Sequence, residues 1–193
     1  MKYITIITLA LVLIGSYGCK EAKNKTESTT DGPMEVISGT KNTESLTILM
    51  EPKSESEVRG EVTFTEDDNT VKMLAVFTGL SEGEHAIHLH EKADCSSDDG
   101  KSSGGHWNPT REPHGKWNDE GGYHKGDIGN FTADANGDAT VEFSAGDEWC
   151  IGCEDERKNI LNKAVIVHQG KDDFMSQPSG DAGARVSCSG IIK

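Results

Sequence analysis

The chain has 193 residues, with 19 Lys+Arg against 33 Asp+Glu and a formal net charge of −14 at pH 7, which leaves room for one domain of ordinary size. That charge, without any basic run, excludes nucleic acid, whose phosphates are bound by Lys and Arg, and adhesion to anionic lipid through a polybasic patch. Hydrophobic residues make up 34%, and with the 22 glycines the apolar share reaches that of a soluble globular chain, which excludes wholesale disorder.

Residues 1–18 read as an export signal: Lys2 precedes an apolar run over 4–14, too short to span a bilayer, that stops at Gly15-Ser16-Tyr17-Gly18-Cys19. This ending resembles the lipobox of bacterial lipoproteins, which implies lipidation of Cys19 as the mature N-terminus and contact with a membrane only through that anchor. The other reading is an ordinary cleaved signal followed by an unrelated cysteine. Either reading places the domain outside the cytoplasm, on the periplasmic side or at the cell surface, where disulfides persist. Residues 19–44, rich in Lys, Glu, Thr, Ser and Asn and without periodicity, are expected to form a flexible tether, with the folded domain at 45–193.

After the tether the hydrophobic period is two. Val58, Gly60, Val62 and Phe64 alternate with polar neighbours, and Val71, Met73, Ala75 and Phe77 do the same after a turn at 66–69. Further strands are expected at 46–50, 85–90, 127–133, 139–143, 164–168 and 185–191, with Asn136-Gly137 as a hairpin turn. A short helical turn is expected at 154–161. No segment carries an amphipathic helix pattern, so the fold class is all-β, a sandwich or flattened barrel. Two long Gly-, Ser- and Asp-rich loops, at 91–125 and 170–184, interrupt the regular spacing; loops of that length are usually functional.

The 7 histidines are His85, His88, His90, His106, His114, His124 and His168. His88 and His90, two apart on a strand, project from one face and are close enough to share an ion, although a polar surface strand shows the same spacing. His106, His114 and His124 lie in or beside the first long loop, and Asp127 follows. Three His and one carboxylate suit tetrahedral zinc. His168 ends an apolar strand at the rim of a sheet. The imidazoles left over call for a second ion, and copper is the leading one.

The chain resembles the copper/zinc superoxide dismutases of the bacterial secreted type. The motifs are GLSEGEHAIHLHE at 79–91, GGHWNP at 104–109, HKGDIGN at 124–130, VIVH at 165–168 with Asp172-Asp173, and GARVSC at 183–188. The resemblance implies an eight-stranded Greek-key β-sandwich with two long functional loops. It implies disproportionation of superoxide to O2 and H2O2, with copper and zinc as cofactors and superoxide as substrate. Copper would be held by His88, His90, His106 and His168, and zinc by His106, His114, His124 and Asp127, with His106 bridging as an imidazolate and supplying protons. Arg185 would steer and hold the anion. Asp172 would link His88 to His114, and His85 would brace its strand through backbone hydrogen bonds rather than bind metal.

The resemblance also implies a disulfide between Cys95 and Cys188. Cys150 and Cys153 fall outside the family's common pattern, and three readings stand: a local structural disulfide, a redox or copper-delivery pair, or free thiols. Steering charge is expected from Lys101, Lys116 or Lys125. A homodimer is compatible with the sequence. The rival to an enzyme is a non-catalytic extracytoplasmic copper/zinc buffer or chaperone-like domain; a pure adhesion sandwich leaves the histidines unexplained.

Overall fold

The structure is a computed structural model that describes residues 43–193. The export signal at 1–18, Cys19 and the tether up to residue 42 lie outside the described residues. Eight strands run in chain order: β1 Glu44–Pro52, β2 Arg59–Asp67, β3 Thr70–Thr78, β4 Gly83–His90, β5 Gly129–Ala133, β6 Ala139–Gly146, β7 Ala164–His168 and β8 Arg185–Gly190. The only helical element among the described residues is one 3-10 turn, Lys101–Ser103.

All pairings are antiparallel, in the order β5-β4-β7-β8-β1-β2-β3-β6. The sequence-distant neighbours β4 with β7 and β3 with β6 are the crossovers of a Greek-key barrel that is nearly closed. Period-two patterning explains the register. Phe64 faces Met73 and Val62 faces Ala75 across β2 and β3, so both strands turn their apolar sets inward together. Gly60 pairs with Phe77, and a Cβ at position 60 would stand 2.5 Å from the Phe77 ring and from the Val76 carbonyl, so only glycine fits beneath that ring.

The other half of the barrel is buried on both faces. In β4, Ile87 and Leu89 enter the core, while His88 and His90 point outward yet are equally buried. In β7, Val165 and Val167 face the core, and Ala164 and Ile166 pack outward on Cys188 and Cys95. The cover is the long loop after β4, stapled to β8 by the Cys95–Cys188 disulfide across 93 residues of chain. His88 and His90 are thereby enclosed between the sheet and a pinned loop.

Two local expectations are corrected. Asn136-Gly137 makes a tight turn, with Asp134 N–H donating to Asp138 O at 2.9 Å, but β5 and β6 are the two ends of the sheet order and form no hairpin ladder. β5 starts at Gly129 instead of 127, because Asp127 is held in a turn with its N–H on His124 O at 3.0 Å. Residues 154–161 hold a single helical turn, as expected, with Lys158 N–H and Asn159 N–H donating to Asp155 O at 2.9 and 3.0 Å; their backbone also pairs with Cys150, through Cys150 N–H to Lys158 O and Ile160 N–H to Cys150 O.

Candidate metal centre

The period of β4 puts His88 and His90 side by side beneath the long loop. That loop returns along β4, with Trp107 N–H donating to Leu89 O at 2.8 Å and Glu91 N–H to Gly105 O at 3.0 Å, which sets His106 opposite His90. β7, paired with β4 on its other side, delivers His168. The four rings His88, His90, His106 and His168 are all buried, and their ligand atoms lie within 4.8 Å of one another.

Each ring has one nitrogen occupied. His88 Nε2 donates to Asp172 Oδ2 at 3.0 Å, His90 Nδ1 to Gly104 O at 2.9 Å and His168 Nδ1 to Gly183 O at 3.4 Å. His106 Nδ1 faces Asp127 Oδ1 at 2.8 Å. The opposite nitrogens, His88 Nδ1, His90 Nε2, His106 Nε2 and His168 Nε2, are buried with no hydrogen-bond partner. An unsatisfied buried acceptor costs about 1–3 kcal/mol, and here four converge on one point. Nitrogen donors of this kind fit a copper ion. Burial, with smaller contributions from neighbouring rings and Arg185, holds His90 and His168 well below the ordinary histidine value, in the neutral form a ligand needs.

A second set surrounds Asp127. His106 Nδ1, His114 Nδ1 and His124 Nδ1 lie 2.8, 3.0 and 3.3 Å from its carboxylate oxygens. Ligands at zinc's bond lengths of about 2.0–2.1 Å stand roughly 3.3 Å apart along a tetrahedral edge, so three His and one Asp at this spacing fit zinc. Burial alone would raise the Asp127 carboxyl, but hydrogen bonds from His106 and His114 and from the His124 amide, with the His124 ring 3.3 Å away, outweigh it and hold it far below the usual carboxylate range. His106 belongs to both sets, Nδ1 in one and Nε2 in the other.

Asp172 joins the two sets, with Oδ2 on His88 Nε2 and Oδ1 on His114 Nε2 at 2.9 Å. Its seat is narrow. Gly180 has φ 71°, and a Cβ there would collide with Asp172 Oδ1 and stand 3.1 Å from His114 Nε2. Asn130 brackets the Asp172 backbone from both sides at 2.8 Å, and Gln177 does the same to His114 at 2.9 and 2.8 Å. Sequence reasoning missed Gly180, Asn130 and Gln177, since each acts on a partner distant in the chain or in a loop without periodicity. His85 is bonded through Nδ1 to His168 O at 2.9 Å and sits 2.9 Å from Ser81 O through Nε2, outside both sets.

Arg185 opens β8 and is half-buried. Its guanidinium donates to Gly100 O at 2.8 Å, Ser103 Oγ at 3.1 Å and Gly104 O at 2.8 Å, all neutral oxygens, so its charge remains available. Ser103, fully buried, is a further partner that the sequence did not reveal. Arg185 and His168 line a solvent-facing cleft of about 280 Å³ together with Asp99, Lys101 and the 179–184 segment. Lys101 is the only one of the three expected steering lysines on that cleft, and it pairs with Asp99 at 2.9 Å. Lys125 is instead tied to Glu148. Cys150 and Cys153 are joined in a disulfide, so the free-thiol reading does not describe this structure.

Residues 58–192 match the family model of copper/zinc superoxide dismutase. The extracellular Cu-Zn superoxide dismutase of Caenorhabditis elegans is 30% identical over 145 residues, 72% of this chain and 63% of that protein's length. The Cu-Zn superoxide dismutase of Caulobacter vibrioides is 38% identical over 138 residues, 69% of this chain and 78% of that protein. Among solved structures, a double mutant of a SOD-like protein from Bacillus subtilis superposes with a TM-score of 0.67 at 29% identity, covering 76% of this chain and 97% of that one. Every residue of the two ligand sets falls inside the matched region, and the chain belongs to the copper/zinc superoxide dismutase family, with copper and zinc as its cofactors.

Proposed function

We propose that this protein is a superoxide dismutase, turning two superoxide anions and two protons into one O2 and one H2O2. The reading rests above all on His106, whose two nitrogens are divided between the two ligand sets. His88, His90, His106 and His168 hold copper, and His106, His114, His124 and Asp127 hold zinc. Copper, when bound, supplies the one-electron chemistry, while zinc has no redox change of its own and fixes and polarises the shared ring.

The chain's residues do the rest. Arg185, fixed by two carbonyls and the Ser103 hydroxyl, receives the anion at the floor of the cleft beside His168. His106 Nε2 is the nitrogen that takes up a proton and returns it to product, since Nδ1 is committed to the Asp127 side. Asp172 fixes the ring orientations of His88 and His114, so these two rings stay in place while His106 exchanges its proton.

An extracytoplasmic location is supported by the two disulfides and by relatives described as extracellular. We propose further that Cys19 carries the lipid anchor and residues 19–44 the tether, with the catalytic domain at 45–193. The second reading, a copper/zinc-binding domain without turnover, draws on the structural neighbour described only as SOD-like.

Metal analysis of the copper- and zinc-loaded protein, run beside a superoxide dismutation assay with and without cyanide, separates the two. One copper and one zinc per chain with cyanide-sensitive activity is expected. The same metal content without activity would favour the buffer.

A further inference from the structure

The segment around Trp149 takes no part in ligation, yet it grips the loop that presents the zinc ligands. Trp149 is 1% exposed, and its indole Nε1–H donates to the Lys125 carbonyl at 2.8 Å. Lys125 lies between His124 and Asp127, two members of the Asp127 set. The Glu148 carboxylate holds the Lys125 ammonium, so adjacent residues seize both ends of Lys125. The indole also packs edge-on against Trp117, with ring centroids 5.8 Å apart, and Trp117 packs on Tyr123 at 5.0 Å; both lie between His114 and His124. Trp149 also meets Phe143 of β6 at 5.3 Å and Phe64 of β2 at 6.2 Å. It therefore ties the zinc-side loop to the barrel wall.

What fixes Trp149 is the loop that follows. Cys150 and Cys153 close a four-residue ring. Ile151 N–H donates to the Glu66 carboxylate of β2 at 2.7 Å, and the Asn159 amide bridges Gly152 N–H and Cys153 O, each at 3.0 Å. The next peptide of the zinc-side turn is secured from the opposite direction, with Leu89 N–H of β4 on Gly126 O at 2.9 Å. The turn carrying His124 and Asp127 is thus clasped between β4 and Trp149.

We propose that Glu148 and Trp149, anchored by the Cys150–Cys153 disulfide, form a brace that positions His124 and Asp127 and so governs zinc retention. Trp149 is a positioning residue acting through the Lys125 carbonyl. The inference rests on the assignment of zinc to His106, His114, His124 and Asp127. Groups that orient metal ligands typically hold a factor of 10–100 in affinity, and this brace acts through one buried hydrogen bond, so its loss is expected near the lower end.

The test is the rate at which the copper- and zinc-loaded protein surrenders zinc to a chromogenic chelator, with thermal midpoint and copper content measured alongside. Trp149→Phe keeps most of the ring and removes the N–H donor. Zinc release about tenfold faster is expected, with copper retained. The double variant Cys150→Ser, Cys153→Ser should shift release in the same direction, and it carries the test should Trp149→Phe not fold. Phe77→Leu, altering a core ring that stacks on Phe131 at 5.5 Å, serves as a control for general destabilisation and should release zinc as wild type does. Wild-type release rates in both brace variants would overturn the proposal, as would Phe77→Leu releasing zinc as fast as they do. A wild-type chain that takes up copper but no zinc would overturn the zinc assignment and the brace with it.

Discussion

Asp172 places one carboxylate oxygen 3.0 Å from His88 Nε2 and the other 2.9 Å from His114 Nε2, so a single side chain fixes a ring of the four-histidine set and a ring of the Asp127 set at once. Because both contacts are to ring N–H donors, the carboxylate selects the tautomer that leaves Nδ1 of each ring free of hydrogen and turned toward the other members of its set.

Asp172→Asn puts an amide NH2 against one of those ring N–H groups, where no hydrogen bond can form. Affinity for at least one metal should fall by about 10–100-fold, measured by competition with chelators of known strength. Gly180→Ala should act in the same way, since its Cβ would displace the same carboxylate. Unchanged affinity for both metals in both variants would show that the link is not needed for ligation.

Arg185→Ala should lower the dismutation rate by roughly tenfold or more while copper and zinc content stay at wild type. Arg185→Lys keeps the charge but cannot reach the Gly100 and Gly104 carbonyls together, so it should fall between the two. Loss of metal together with rate would mean that Arg185 serves mainly to hold its loop.

The metal-free protein should be most stable in a window around neutral pH. Burial opposes charge on His114, but the Asp127 and Asp172 carboxylates on its two nitrogens prevail and raise it from 6.5 to about 9. A raised value contributes stability that is complete below the unfolded pKa and is lost as pH climbs through about 9. His106 is pushed down to about 4, chiefly by burial and then by the charge of His88, so protonating it destabilises the fold as pH falls from 6.5 toward 4. Asp127 and Asp172 lie below the usual carboxylate range, and their contribution too is lost in acid. Thermal midpoints of the apo protein across pH 4–10 should fall at both ends; a midpoint still rising above pH 9 would contradict the His114 assignment.

Replacing both Cys95 and Cys188 by alanine should cost about 2–5 kcal/mol of stability in denaturant unfolding, because the bridge closes a loop of 93 residues and pins the cover over β4 and β7. Arg185 should be affected with it, since its Gly100 and Gly104 seats lie in that cover. Stability within experimental error of wild type would show that the loop is held by its hydrogen bonds alone.

Much of this site is legible in the sequence because strand periodicity and ligand chemistry coincide there. His88 and His90 share a face by period two, β7 matches its expected span at 164–168, and three His with an Asp are a donor set that suits a tetrahedral ion. The illegible parts depend on strand order or on long-range packing. Asn136-Gly137 carries the chemistry of a turn, but only the strand order reveals that β5 and β6 are the two ends of the sheet and do not pair. Asn130, Gln177 and Ser103 are ordinary polar residues until the fold sets them against Asp172, His114 and Arg185. Trp149 stands in the sequence only as the neighbour of Cys150, and its bond to Lys125 O is what connects it with the metal centre.

The division of His106 between the two sets is open to direct measurement by loading copper into both sites and recording the magnetic resonance spectrum near neutral pH. Two Cu(II) ions joined through one imidazolate should be exchange-coupled, with the coupling lost as acid breaks the bridge. Two independent Cu(II) signals of full intensity at neutral pH, in a protein shown to hold both ions, would contradict it.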